Sequence, residues 1–198
     1  MEGLLTRLAD QIRALDESGA VELAARLAQA ERSRLSLPLE AVEFSHRVKA
    51  KDGGVDGRTS FPTDAETPFP KGKRVWQVKS GATAVRAQRE FAKPKRGGDK
   101  WVVEELRTGE VGYVLFWTYD PVDRDAEAIR DAFRDEVRRI APGVEVTFSF
   151  LSQIVELARR HPGVALDALG LDGAGVLAVE EWARLFEGEK GMRQTPFQ

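Results

Sequence analysis

The stretch KRVWQVKS, residues 73–80, alternates in a way that suits an extended chain. Trp76 and Val78 are apolar, while Gln77 and Lys79 are polar. In a strand, residues two apart share a face, with Cα atoms about 6.6 Å apart. One face of this strand therefore enters a core, and the other displays an amide and an ammonium side by side. Further along, VGYVLFWTY (111–119) is a nearly continuous apolar run. That is the mark of a strand buried on both faces, and it needs helices above and below the sheet. The two stretches together predict an α/β protein with a covered central sheet.

The rest of the chain fits around that sheet. Leu4, Leu5, Leu8, Ile12 and Leu15 recur at helical spacing over 2–15, and Val21, Leu23, Ala24, Leu27 and Ala28 do so over 19–33. DESG (16–19) reads as a stop followed by a new cap. After Pro38, residues 41–49 alternate as a half-buried strand, KDGG makes a turn, and a second strand runs over about 55–61. A proline-rich loop leads to the 73–80 strand. Helices are predicted over 82–92, within WVVEELRTG (101–109), over 124–140 and over 151–169, with a further strand at 145–150. The order α-α-β-β-β-α-α-β-α-β-α predicts a three-strand meander continuing into strands that alternate with helices, a mixed central sheet sandwiched by helices. Residues 1–170 read as this domain behind an N-terminal helical segment. Residues 171–198 change character and read as a linker or tail toward a further domain.

Composition narrows the chemistry. Without cysteine there is no thiolate zinc site and no cysteine nucleophile, and His46 and His161 are too few for a histidine-rich centre. The lack of cysteine also fits a reducing cytoplasm. No apolar run reaches transmembrane length, and the acidic-amphipathic N-terminus does not resemble a signal peptide, so no membrane partner is expected. Net charge is only −2, yet residues 70–100 hold ten Lys/Arg against Glu90 and Asp99. A local basic surface of that kind can grip phosphates. The alternative is a solvated helix face and loop.

The glycine-rich stretch KDGGVDGRTSFP (51–62) precedes the second strand. If that strand pairs with 73–80 as a hairpin, Asp56 comes beside Gln77 and Lys79. A carboxylate and an amide oxygen, helped by a backbone carbonyl, can hold a hard cation such as Mg²⁺. A lysine beside them can orient or deprotonate a water and stabilise charge on a phosphoryl group. Those are parts for phosphodiester hydrolysis. An EF-hand loop beginning at Asp52 fails, because its third position is Gly54 and its twelfth is Thr63.

DGGVDG (52–57) followed by WQVKSG (76–81) resembles the signature of the restriction-endonuclease-like nucleases, the PD-(D/E)xK superfamily, and most nearly its Mrr-like branch, in which Gln replaces the second acid. The resemblance covers about residues 18–170. It implies a restriction-endonuclease-like fold and Mg²⁺-dependent endonuclease activity on DNA, with Mn²⁺ as a substitute cation. Asp56 would be the metal-binding aspartate, Gln77 the variant second ligand, Val78 a carbonyl ligand and Lys79 the catalytic lysine. The family often adds a glutamate from the first core helix. Glu22 is the candidate, with Glu40 and Glu43 as alternatives. Lys73, Arg74, Ser80, Arg86, Arg89, Lys93, Lys95 and Arg96 are the candidates for gripping the phosphate backbone with little sequence preference. The tail resembles the linker that joins such nucleases to NTPase sensor modules in bacterial STAND-type, NLR-like antiphage proteins. That implies an effector domain activated by oligomerisation. Two rival readings are a non-catalytic nucleic-acid-binding or assembly module of the same fold, and a nuclease acting on RNA.

His46 is expected as a core histidine, His161 as a helix-end residue, and Trp101, Trp117 and Trp182 as core or interface.

Overall fold

The computed structural model describes residues 2–45, 54–82, 85–92 and 100–164. The 171–198 tail, the boundary at 170, His46, Trp182, Lys93, Lys95 and Arg96 lie outside the described residues.

Two helices open the chain, α1 (Glu2–Arg13) and α2 (Glu17–Arg34). The break between them is the predicted one. Asp16 leaves the helical conformation and its carboxylate accepts the Gly19 N–H at 2.7 Å, an N-cap that satisfies an otherwise orphaned donor. A 3₁₀ turn (Leu39–Ala41) follows Pro38.

Five strands then form one mixed sheet: β1 (Val42–Phe44), β2 (Gly57–Phe61), β3 (Gly72–Lys79), β4 (Gly112–Trp117) and β5 (Val146–Ser149). They lie side by side in chain order. The first three pair antiparallel as a meander, and β3, β4 and β5 run parallel. The parallel steps are bridged by α3 (Ala87–Phe91) with α4 (Trp101–Arg107), and by α5 (Asp123–Ile140). Helix α6 (Leu151–Arg160) follows β5.

The alternation along β3 and β4 separates two cores. Trp76, Val78, Val114 and Phe116 pack with Leu8 and Ile12 of α1, Leu23 and Leu27 of α2, and Ile154 and Leu157 of α6. Val75, Tyr113, Leu115 and Trp117 pack with Phe91, Val103, Leu106, Phe133 and Val137 on α3, α4 and α5. All six residues of β4 are buried, as its unbroken apolar run requires. The single polar group of the Trp76 ring is satisfied by Thr59 Oγ1 at 2.9 Å.

Three boundaries differ from the sequence reading. The described part of the 41–49 strand is limited to Val42–Phe44. The 82–92 helix contracts to Ala87–Phe91, because Arg86 is extended (φ −116°, ψ 115°). Helix α6 breaks after Arg160, helical backbone resumes over 162–164, and the rest of the predicted span to 169 lies outside the described residues. Its cap residue, His161, precedes Pro162, whose ring disfavours helical backbone at the residue before it. Of the tryptophans expected in the core or at an interface, Trp117 is fully buried, whereas Trp101 is 55 % exposed and lies outside the core. Among the described residues no helix is long and apolar enough to cross a membrane.

Candidate active site

The site forms where β2 and β3 part company. Asp56 stands one residue before β2 and still takes part in the ladder. Its N–H donates to Trp76 O at 2.8 Å, and its carbonyl accepts from Ser45 N at 2.9 Å. Its side chain then supplies the next rung, with Asp56 Oδ2 accepting the Val78 N–H at 2.7 Å. Successive peptide groups of a strand point to alternate sides. Trp76 and Val78 therefore face β2, while the Lys79 carbonyl, which accepts from Thr118 N at 3.0 Å, faces β4. The Val78 carbonyl points to the same β2 side as its N–H, so it lies on the Asp56 edge of the strand.

Gln77 and Lys79 project from β3 on the face covered by α3, α4 and α5. Gln77 is 2 % exposed and both ends of its amide are engaged. Nε2 donates to Glu90 Oε2 at 2.7 Å, and Oε1 accepts a close hydrogen bond from the Tyr113 hydroxyl. Lys79 Nζ lies 3.0 Å from the same Glu90 oxygen, with side chains 25 % and 15 % exposed respectively. Asp56 is thus held against the β3 backbone between Gln77 and Lys79, and Glu90 bridges the side chains of those two residues.

Glu90 sits on α3, a helix of only five residues that needs outside support to hold its place. Lys100 gives that support. Its Nζ donates to the Glu90 carbonyl at 2.5 Å and the Arg89 carbonyl at 3.2 Å, closing the C-terminal end of the helix. Burial pushes the Lys100 pKa down, neighbouring Lys79 and Arg89 push it the same way, and Glu90 opposes them. The Tyr113 phenol is raised well above its ordinary value by burial and by the charges of Glu90 and Asp56. Both carboxylates therefore act on one point of the structure. The sequence carried one signal for Glu90: it is one of two acids in a stretch with ten basic residues.

The structure does not bring Glu22 to this cluster. It lies on α2, in the layer against the Trp76 and Val78 face, and shares an outward stripe with Arg26 and Gln29. Its carboxylate pairs with Arg26. Glu43 stands opposite Arg58 in the β1–β2 register, and Glu40 is exposed in the 3₁₀ turn. Lys73 and Arg74 also separate from the site. They begin β3 while Lys79 ends it, about 20 Å away at strand rise. Lys73 pairs with Glu110, and Arg74 is buried between the Lys71 carbonyl and Glu145. Ser80 is half-buried directly after Lys79, and Arg86 and Arg89 are exposed on and beside α3.

The donor set fits a hard cation in part. The carboxylates of Asp56 and Glu90 and the Val78 carbonyl are oxygen donors of the kind Mg²⁺ takes. The Gln77 oxygen is directed to Tyr113 instead. Among the described residues no group of three His, Cys, Asp or Glu side chains gathers into a metal site. Comparison with known proteins finds no family model, no curated protein and no solved structure that matches this chain.

Proposed function

We propose that the chain is a metal-dependent nuclease domain of restriction-endonuclease-like fold that hydrolyses phosphodiester bonds of DNA. The observation that carries this reading is the Lys79–Glu90 pair at the end of β3, on a strand whose Val78 N–H is held by the Asp56 carboxylate. A mixed sheet with helices on both faces, the architecture implied by the resemblance, supports it.

Asp56, Glu90 and the Val78 carbonyl are the residues that would hold a Mg²⁺ ion. When bound, the ion supplies Lewis acidity and a more acidic water. Lys79 orients the attacking water and neutralises charge that develops on the phosphoryl oxygens. The new P–O bond forms as the bond to the departing alkoxide breaks; the water loses a proton and the alkoxide gains one. Arg86 and Arg89 flank Glu90 on the exposed side of α3 and contact neighbouring phosphates. Such contacts give salt-dependent affinity, with the slope falling by about one for each phosphate contact removed.

The test is cleavage of supercoiled DNA and of RNA with Mg²⁺ by wild type, Asp56→Ala, Lys79→Ala and Glu90→Ala, with Glu22→Ala as a comparison. Loss in the first three with activity retained in Glu22→Ala is expected. Equal behaviour of wild type and all variants at matched purity refutes the reading. Cleavage of RNA alone moves the substrate to RNA. Restraint of the activity by an attached NTPase module, released on oligomerisation, is part of the same proposal and is tested on the full-length protein.

A further inference from the structure

The resemblance treats the glutamine of the motif as a stand-in ligand, but its surroundings say otherwise. A primary amide has one acceptor end and one donor end. Here the acceptor end faces a phenol and the donor end faces a carboxylate. Turning the amide over would set its oxygen against Glu90 Oε2 at hydrogen-bond distance and leave both without a proton between them. Glu90 fixes the choice, since a carboxylate only accepts, and the other end of the amide is met by Tyr113, whose hydroxyl can donate or accept and here donates. The Tyr113 ring is held between Phe91 and Phe133, at centroid distances of 5.2 and 5.9 Å, and Phe91 directly follows Glu90 on α3.

We propose that Gln77 is a positioning residue: clamped by the Tyr113 hydroxyl, it orients the Glu90 carboxylate and does not itself bind the cation. The inference rests on the metal-site reading above and assigns the second carboxylate to Glu90 on α3. A carboxylate carried by a five-residue helix needs such a clamp. Gln77 engages Oε2, and Lys100 holds the main chain beneath it.

The experiment is a double-mutant cycle on Mn²⁺ affinity, measured by isothermal titration calorimetry for wild type, Gln77→Met, Glu90→Ala and the double variant. Gln77→Met preserves side-chain length and removes both hydrogen bonds. It is expected to weaken Mn²⁺ by about 10- to 100-fold, the usual cost of losing an outer partner of a ligand. In the Glu90→Ala background the same change is expected to add almost nothing. Losses that multiply, as for two independent ligands, overturn the proposal. If Gln77→Met does not fold, Tyr113→Phe, which removes one oxygen, replaces it in the cycle with the same expected coupling. A second readout needs no metal: the side-chain amide resonances of Gln77 should shift in both Tyr113→Phe and Glu90→Ala. Resonances unmoved in both rule out the clamp. If wild type binds no Mn²⁺, the metal-site reading falls and this proposal falls with it, whereas multiplying losses with intact wild-type binding reject the proposal alone.

Discussion

Replacing Lys79 by Met should move three observables in different directions. The ammonium lies 3.0 Å from Glu90 Oε2, and the two side chains are 25 % and 15 % exposed. Exposed pairs contribute about 0–1 kcal/mol, and breaking a fully buried pair costs about 3–5 kcal/mol. A pair this enclosed, with Gln77 still bonded to the carboxylate, falls between, at about 1–2 kcal/mol. Lys79→Met should therefore lower the unfolding free energy by about 1–2 kcal/mol, read as a reduced urea midpoint at unchanged slope. The same pair opposes cation binding, because a divalent ion at Glu90 must take over an oxygen that the ammonium already holds. Without that competition, Mn²⁺ affinity should rise by about 5- to 30-fold, the same free energy with its sign reversed. DNA cleavage should meanwhile be lost. Weakened Mn²⁺ binding in a folded Lys79→Met protein would refute this reasoning, since it would mean that the lysine supports the cation instead of competing with it.

Asp56→Asn keeps an oxygen in reach of the Val78 N–H and exchanges a charge-assisted hydrogen bond for a neutral one. It should cost about 1 kcal/mol in urea denaturation while abolishing Mg²⁺-dependent cleavage. His161 Nε2 lies 3.0 Å from Glu31, a carboxylate 1 % exposed that also accepts from Arg34. Burial lowers the His161 pKa, Glu31 opposes the shift, and Arg34 and Arg160 reinforce it. The unfolded chain then takes up the proton first, so this site's stability is full above about pH 6.5 and falls as pH drops toward the folded pKa. Urea midpoints from pH 8 to pH 5 should show the decline, and His161→Gln should flatten it. Gly112→Ala would place a Cβ 1.8 Å from Arg74 Nη1. Displacing that guanidinium from Lys71 and Glu145 should cost about 1–3 kcal/mol by thermal melting, with Mn²⁺ affinity unchanged, because this end of β3 is remote from Lys79.

The layers of the fold were legible because they follow from periodicity. Trp76 and Val78 against Gln77 and Lys79, and six buried residues in β4, specify two faces and a sheet covered on both. The Asp16 cap was equally local. Half of the site was legible for the same reason, since residues two apart on a strand must share a face, and a hairpin must set Asp56 beside them. Glu90 was not, because its position depends on how a short helix returns over the sheet and on Lys100 holding its end. The orientation of the Gln77 amide depends on Tyr113, 36 residues away. An extended strand also spreads the basic stretch: Lys73, Arg74 and Lys79 are close in sequence, but the first two lie at the opposite end of β3 from the third.

The Asp56 carboxylate is a rung of the β2–β3 ladder as well as a member of the cluster. A ligand taken by the same carboxylate changes the strength of its hydrogen bond to the Val78 N–H, and the end of the hairpin will open or tighten in step. Binding is thus written into the hydrogen exchange of one backbone amide. Val78 is a built-in gauge of site occupancy, readable without label, substrate or turnover.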